Sequence, residues 1–314
     1  VDRARTQLAA GVLGLAVLVG AAAPLPIRAA RWIPPGADMV RALREQPSEC
    51  LAKPVSPDEA YAVEVGRAAF RTPLVLGGQA ARAGLSCENC HSSGRANTQF
   101  FFPGVSGKPG TADVTTSVFS SHRGDGIDNP KPIPDLSGPR DRLKISRDPR
   151  SPELKTFIRG LVTEEFDGAE PPPQVLAGLV AYVRALTPAA CPKQPVQKVR
   201  MESVMDDARR AVRAADGALS RKDGATATLM LASARTQLGL IYERYTVPGL
   251  ERERAALTAA DLDLRAAQDA IRSGRDAATR LALWQGEADR LTVRLAKRED
   301  RSLFDPGRLA ATAR

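Results

Sequence analysis

The segment Cys87-Glu88-Asn89-Cys90-His91 constrains this chain more than any other five residues in it. Two thiols stand three residues apart in the chain, and an imidazole follows at once. Three chemistries use such a pair: a redox-active dithiol, half of a zinc site, and covalent attachment of haem c. A thioredoxin-like dithiol wants a βαβ context, and zinc wants more Cys or His nearby than 4 Cys and 2 His in 314 residues supply. With those counts the five-residue pattern arises by chance on the order of two times in ten thousand. In the third reading each thiol adds across a haem vinyl group to give a thioether, and His91 is an axial ligand of the iron. Cys87 and Cys90 are therefore expected to carry one haem c, with His91 on its metal.

That expectation accounts for an otherwise awkward stretch. Residues 94–150 hold many Gly and Pro and little periodicity. A loop of that length inside a compact domain calls for something that organises it, and a haem would do so. Phe100, Phe101 and Phe102, with the aliphatic residues near Val105, are expected to wall the haem pocket. Arg95, Lys108 and Arg123 are candidates to pair with propionates. A thioether sixth ligand is hard to find, because no Met lies between His91 and Met201. Met201 and Met205 suit helix packing, which leaves Met39 as an outlying possibility. His122 reads in two ways, as a surface loop histidine or as a second axial iron ligand. Imidazole there would lower the reduction potential relative to a thioether.

The pattern elsewhere is helical. Ser56 caps a helix running to Phe70, with Pro57, Asp58 and Glu59 in its first turn. Pro152–Val162 is a short helix, and Pro173–Leu186 has Val175, Leu176, Leu179, Val180, Val183 and Leu186 on one face. From Val196 to Asp300 breakers almost vanish. Val204, Ala208, Ala211, Ala215 and Leu219 recur at helical spacing, as do Leu231, Ala234, Leu238, Ile241 and Tyr245. Leu250, Leu257, Leu264 and Ile271 stand seven apart, and Ala277, Leu281, Trp284, Ala288, Leu291 and Leu295 complete a fourth helix. Val212–Ala215 resembles Leu264–Ala267 at an offset of 52, as a duplication or as shared Ala-rich composition. The fold class expected is all-α, with two helical hairpins packed as an antiparallel bundle. The division is 1–30 signal or anchor, 31–195 haem domain, 196–300 bundle and 301–314 a frayed tail.

Compartment and charge agree with this. Arg3 and Arg5 precede an uncharged run from Thr6 to Ile27 with small residues at 21–23 and 29–30, an export signal or, uncleaved, a membrane anchor. Pro24 and Pro26 make the end of that run a poor helix, which favours cleavage. The protein is thus expected in the periplasm or another extracytoplasmic space. There the leftover Cys50 and Cys191, flanking the haem region, would pair as a disulfide. The net charge of +9 divides into +3 over residues 1–31, zero over 32–190 and +6 over 191–314. Basic residues interspersed with acids on helices are a solvated face first, or an attraction to an acidic partner or membrane surface second. With no aromatic-interleaved basic patch, nucleic acid is not expected as a partner.

Gly66-Arg67-Ala68-Ala69-Phe70 followed by Gly84-Leu85-Ser86-Cys87-Glu88-Asn89-Cys90-His91 resembles the first helix and haem motif of di-haem cytochrome c peroxidase domains. Leu179-Val180-Ala181-Tyr182-Val183-Arg184-Ala185-Leu186 is similar to the closing helix of a class I cytochrome c fold. The resemblance covers about residues 56–190 and implies a cytochrome c-like haem domain with long ordered loops. It departs from the peroxidases in lacking a second C-x-x-C-H, so the two-haem relay those enzymes use is not implied. The resulting expectation is an electron-transfer cytochrome acting with a redox protein partner. A peroxidase-like haem enzyme with an open iron site, or a haem-bearing docking or assembly protein, are the alternatives. No catalytic side chain is singled out.

Overall fold

The computed structural model describes residues 25–139 and 143–313, so most of the expected export segment lies outside the described residues. The protein is predominantly helical, as the periodicity requires. In chain order the elements are α1 (Met39–Arg44), β1 (Glu45–Pro47), α2 (Pro57–Phe70), α3 (Gly78–Ala83), α4 (Cys87–Cys90), β2 (Thr111–Ala112) and β3 (Lys131–Pro132). They continue with α5 (Glu153–Gly160), α6 (Pro173–Ala185), β4 (Val196–Lys198), α7 (Met201–Ser220), α8 (Gly224–Tyr242), α9 (Glu251–Arg272), α10 (Ala278–Ala296) and α11 (Pro306–Thr312). No helix among the described residues is long and apolar enough to cross a membrane.

Helix α2 starts where its sequence says it should. The Ser56 hydroxyl accepts from the Glu59 N–H at 3.2 Å, and Asp58 and Glu59 occupy the positive end. Its buried face meets α6 at two glycines. A Cβ on Gly66 would stand 1.8 Å from the Gly178 carbonyl oxygen, so the two backbones touch and no other residue fits between them. The opposite side of α2 packs on α7 and α8, and the Ser233 hydroxyl donates to the Ala68 carbonyl at 2.7 Å. One buried cluster runs from Val63 through Tyr182 to Met205, Leu238, Leu264 and Phe304. The core therefore continues across position 195.

Among the last long helices, α7 packs on α8 and α10, and α9 packs on the same two, which closes a ring. Its interior is the set of residues at helical spacing, with Ala208, Ala215, Leu231, Leu238, Leu264 and Leu295 all fully buried. The two halves are also joined by a strand pair, beside a bridge and a disulfide within the first half. β1 pairs antiparallel with β4, Leu51 bridges Leu186, and Cys50 is disulfide-bonded to Cys191.

Residues 301–313 pack against the fold where a frayed tail was expected. Leu303, Phe304 and Leu309 are buried, and α11 packs on α1 beside Ile27 and Leu43. The buried Arg244 guanidinium holds this corner, donating to the carbonyls of Leu303 (3.2 Å) and Leu43 (2.6 Å) and lying over the Phe304 ring. Leu303 and Phe304 precede α11 and Leu309 lies on its seven residues, which leaves little periodic signal; their order comes from tertiary contact.

Candidate functional site

The motif forms a single helical turn. The Asn89 side chain caps it by accepting from the Ser86 N–H at 2.7 Å, and the His91 N–H donates to the Cys87 carbonyl at 2.8 Å. Cys87 and Cys90 are free thiols, half-buried against an apolar cluster made of Leu76, Ala80, Leu85, Phe100, Val105, Phe119, Ile133 and Phe166. Burial pushes both thiols up to about 12. A redox dithiol needs the opposite shift, because the thiolate is the nucleophile. No group of three or more His, Cys, Asp or Glu suited to holding a metal ion occurs among the described residues, which also speaks against zinc.

His91 is held as a ligand would be. Its Nδ1–H donates to the Pro134 carbonyl at 3.0 Å, leaving the Nε2 lone pair as the available donor. Burial drives the imidazole down to about 4, so it is neutral at neutral pH despite the opposing bond to Pro134. The loop that supplies this carbonyl is itself fixed. Leu136 N–H donates to the Gly94 carbonyl, Arg95 pairs with Asp135 at 2.7 Å, and the Arg147 guanidinium donates to the carbonyls of Leu136, Gly138 and Leu186. Arg95 thus clamps the histidine loop, and Arg123 pairs with Glu164; both have carboxylate partners of their own.

The three phenylalanines separate. Phe100 is central to the apolar cluster, and Phe102 stacks on Trp32 at 4.9 Å and meets the edge of Phe119. Phe101 is half-buried outside that cluster, its N–H donating to the Trp32 carbonyl. Trp32 Nε1 is buried without a hydrogen-bond partner, a donor that a propionate could take. His122 is 63% exposed in a wholly exposed run, residues 121–129, with its Nδ1 3.0 Å from Asp167. The methionines lie elsewhere: Met201, Met205 and Met230 are fully buried in the main core, and Met39 joins the small cluster around Ile27.

Beneath the motif lies a set of buried charges that spacing does not reveal. Glu49 accepts from Arg67 and Arg71, each at 2.9 Å, and from the Tyr182 hydroxyl at 2.6 Å. Both arginines also pair with Asp207 of α7. Arg71 reaches Glu88, inside the motif, at 3.5 Å, and the other Glu88 oxygen accepts from the Ser93 N–H at 2.7 Å. Burial would raise the Glu49 carboxyl, yet the two guanidinium groups outweigh it and hold it at about 2. For Glu88 burial wins over Arg71, and its carboxyl stands at about 7. No single sequence signal marks these residues; only Glu88 stands beside the motif cysteines.

The residues present fit a covalently bound haem: two neutral thiols in one turn, a neutral imidazole with Nδ1 occupied, an apolar wall and an unpartnered indole donor. Such a group, if bound, would supply one-electron iron chemistry, with His91 as the residue to hold its metal and Phe100 and Phe102 to shield it. No protein-family model matches the chain, and neither a curated protein nor a solved structure does.

Proposed function

We propose that the protein is a c-type cytochrome carrying one haem on Cys87 and Cys90, with His91 on the iron, that exchanges electrons with a protein partner outside the cytoplasm. The observation that carries the reading is the state of His91: neutral, adjacent to two free thiols, and held through Nδ1 by the Pro134 carbonyl. The resemblance of residues 56–190 to cytochrome c domains adds support, as does the glycine crossing of α2 and α6 within that stretch. A two-hairpin arrangement of α7 to α10 agrees with the ring in which they pack. The Cys50–Cys191 disulfide suits an oxidising compartment. Export that ends after Ala21–Ala23 would keep Ile27, which is buried, and Arg28, which pairs with Glu243 at 3.0 Å; cleavage after Ala30 would remove both from the fold.

The positions of the methionines favour a second reading, a haem that binds small ligands at its sixth position, because none of them lies in the cluster around the motif. His122 is the remaining imidazole. Absorption spectra of oxidised and reduced protein separate the two. The carrier shows sharp low-spin bands indifferent to carbon monoxide and peroxide; a high-spin haem that binds either one overturns that assignment. Loss of the low-spin bands in His122→Ala would give His122 the sixth position, and an unchanged spectrum would remove it.

A further inference from the structure

We propose that Asp207, on α7 of the C-terminal helices, is a positioning residue for the haem site, acting on it through Arg71 and Glu88; this rests on the haem reading above. The buried charges form one connected set across the seam between the halves. Asp207 pairs with Arg67 and, at 3.4 Å, with the Arg71 Nε. Arg71 is only 7% exposed in its side chain; its Nη2 reaches both Glu49 and Glu88, and its Nη1 donates to the Arg67 carbonyl and the Tyr182 hydroxyl. Glu88 in turn holds the N–H of Ser93, a non-glycine residue at φ 53° that turns the chain just after His91. The set comprises Glu49, Arg67, Arg71, Glu88 and Asp207, with the Tyr182 hydroxyl as the neutral member, and Asp206 and Arg210 line the same cavity.

Partly buried charges are screened less than exposed ones, so the Asp207 carboxylate, 21% exposed, is felt at the motif more than a fully exposed one. Ferric haem carries one more positive charge than ferrous haem. A half-buried anion linked to the motif therefore favours the oxidised state and lowers the midpoint potential. The C-terminal helices thereby set the potential of the haem as well as shielding its domain. Asp206, the preceding residue on the same helix, gives the internal control: it is 56% exposed and, among the described residues, its ion pair is with Arg209.

The test is a spectroelectrochemical titration of the full haem-loaded chain, well above neutral pH so that Glu88 is ionised throughout. Asp207→Asn is expected to raise the midpoint potential, Asp206→Asn to leave it unchanged, and Glu88→Gln to raise it. The shift of the Asp207→Asn, Glu88→Gln double variant should differ from the sum of the single shifts, because both act through Arg71. An Asp207→Asn protein with its haem spectrum intact and its potential equal to that of the parent overturns the inference. Equal shifts from Asp207→Asn and Asp206→Asn also overturn it, since net charge would then suffice. A parent protein without haem fails the underlying reading instead, which is seen before any potential is measured. Should Asp207→Asn not fold, Asp207→Glu, which keeps the charge, must retain the parent potential for the proposal to stand.

Discussion

The region around the motif and the ring of C-terminal helices are stabilised in different ways. Residues 94–139 contain only the two-residue strands β2 and β3 and the end of a short 3-10 turn. They are held by side chain to backbone bonds, such as Asn97 to the Asn89 carbonyl and Thr111 to the Lys108 carbonyl, and by the small cluster around Phe100. Helices α7 to α10 satisfy their own backbone and bury a continuous interior from Met205 to Leu295. The core of the second region is continuous with the packing of α2 and α6. The first has too few apolar contacts to offset the ordering of so long a loop, and on the account above haem makes up the difference.

The largest test of this contrast removes the haem. In a Cys87→Ala, Cys90→Ala variant, residues 94–139 should lose nearly all protection from hydrogen exchange, while α7 and α8 keep theirs. Equal protection in both regions, with and without haem, would break the comparison. Next in size is the Cys50–Cys191 link, which joins β1 to the chain beyond α6. Replacing both cysteines with alanine should cost about 4–5 kcal/mol on the chain-entropy argument, read from denaturant unfolding. A crossing that belongs to the haem side comes third. Gly66→Ala drives a Cβ into the Gly178 carbonyl and should destabilise by about 2–3 kcal/mol, by the same measurement.

How much of this could be read beforehand differs between the two regions in the same way. The helical interior was visible because repetition at 3.6 residues is a one-dimensional signal, and Ser56 and Pro57 mark a boundary by local chemistry. The all-α class and the Cys50–Cys191 pairing were legible for that reason, the latter because two thiols remained and flanked one region. The bond from His91 to Pro134 spans 43 residues of chain with no periodicity, so nothing local announces it. The Gly66–Gly178 contact, the burial of Leu309 and the link from Asp207 to Glu88 are likewise products of closure, where distant residues meet only once the helices have packed. Arg95 illustrates the limit: its charge suggested a propionate, whereas Asp135, beside Pro134, already pairs with it.

The smallest effect near neutrality concerns the seam between the regions. The Glu49 carboxyl is depressed from about 4.5 to about 2, so its contribution to stability is complete above the unfolded value and is lost as pH falls from about 4.5 towards 2. Glu88 is raised, so between about 4.5 and 7 the folded form binds the extra proton and stability declines as pH increases. Unfolding midpoints of Glu49→Gln and Glu88→Gln across this range should flatten the acid limb and the near-neutral decline respectively. A parent curve without either limb would contradict the assignment of those charges.

The measurement closest to the central claim is a pyridine haemochrome spectrum combined with intact-protein mass and thiol alkylation, on protein from a host that matures c-type cytochromes. The account predicts one haem per chain, a mass increased by that single group, and Cys87 and Cys90 both unreactive. A colourless chain of polypeptide mass in which both thiols alkylate would contradict it.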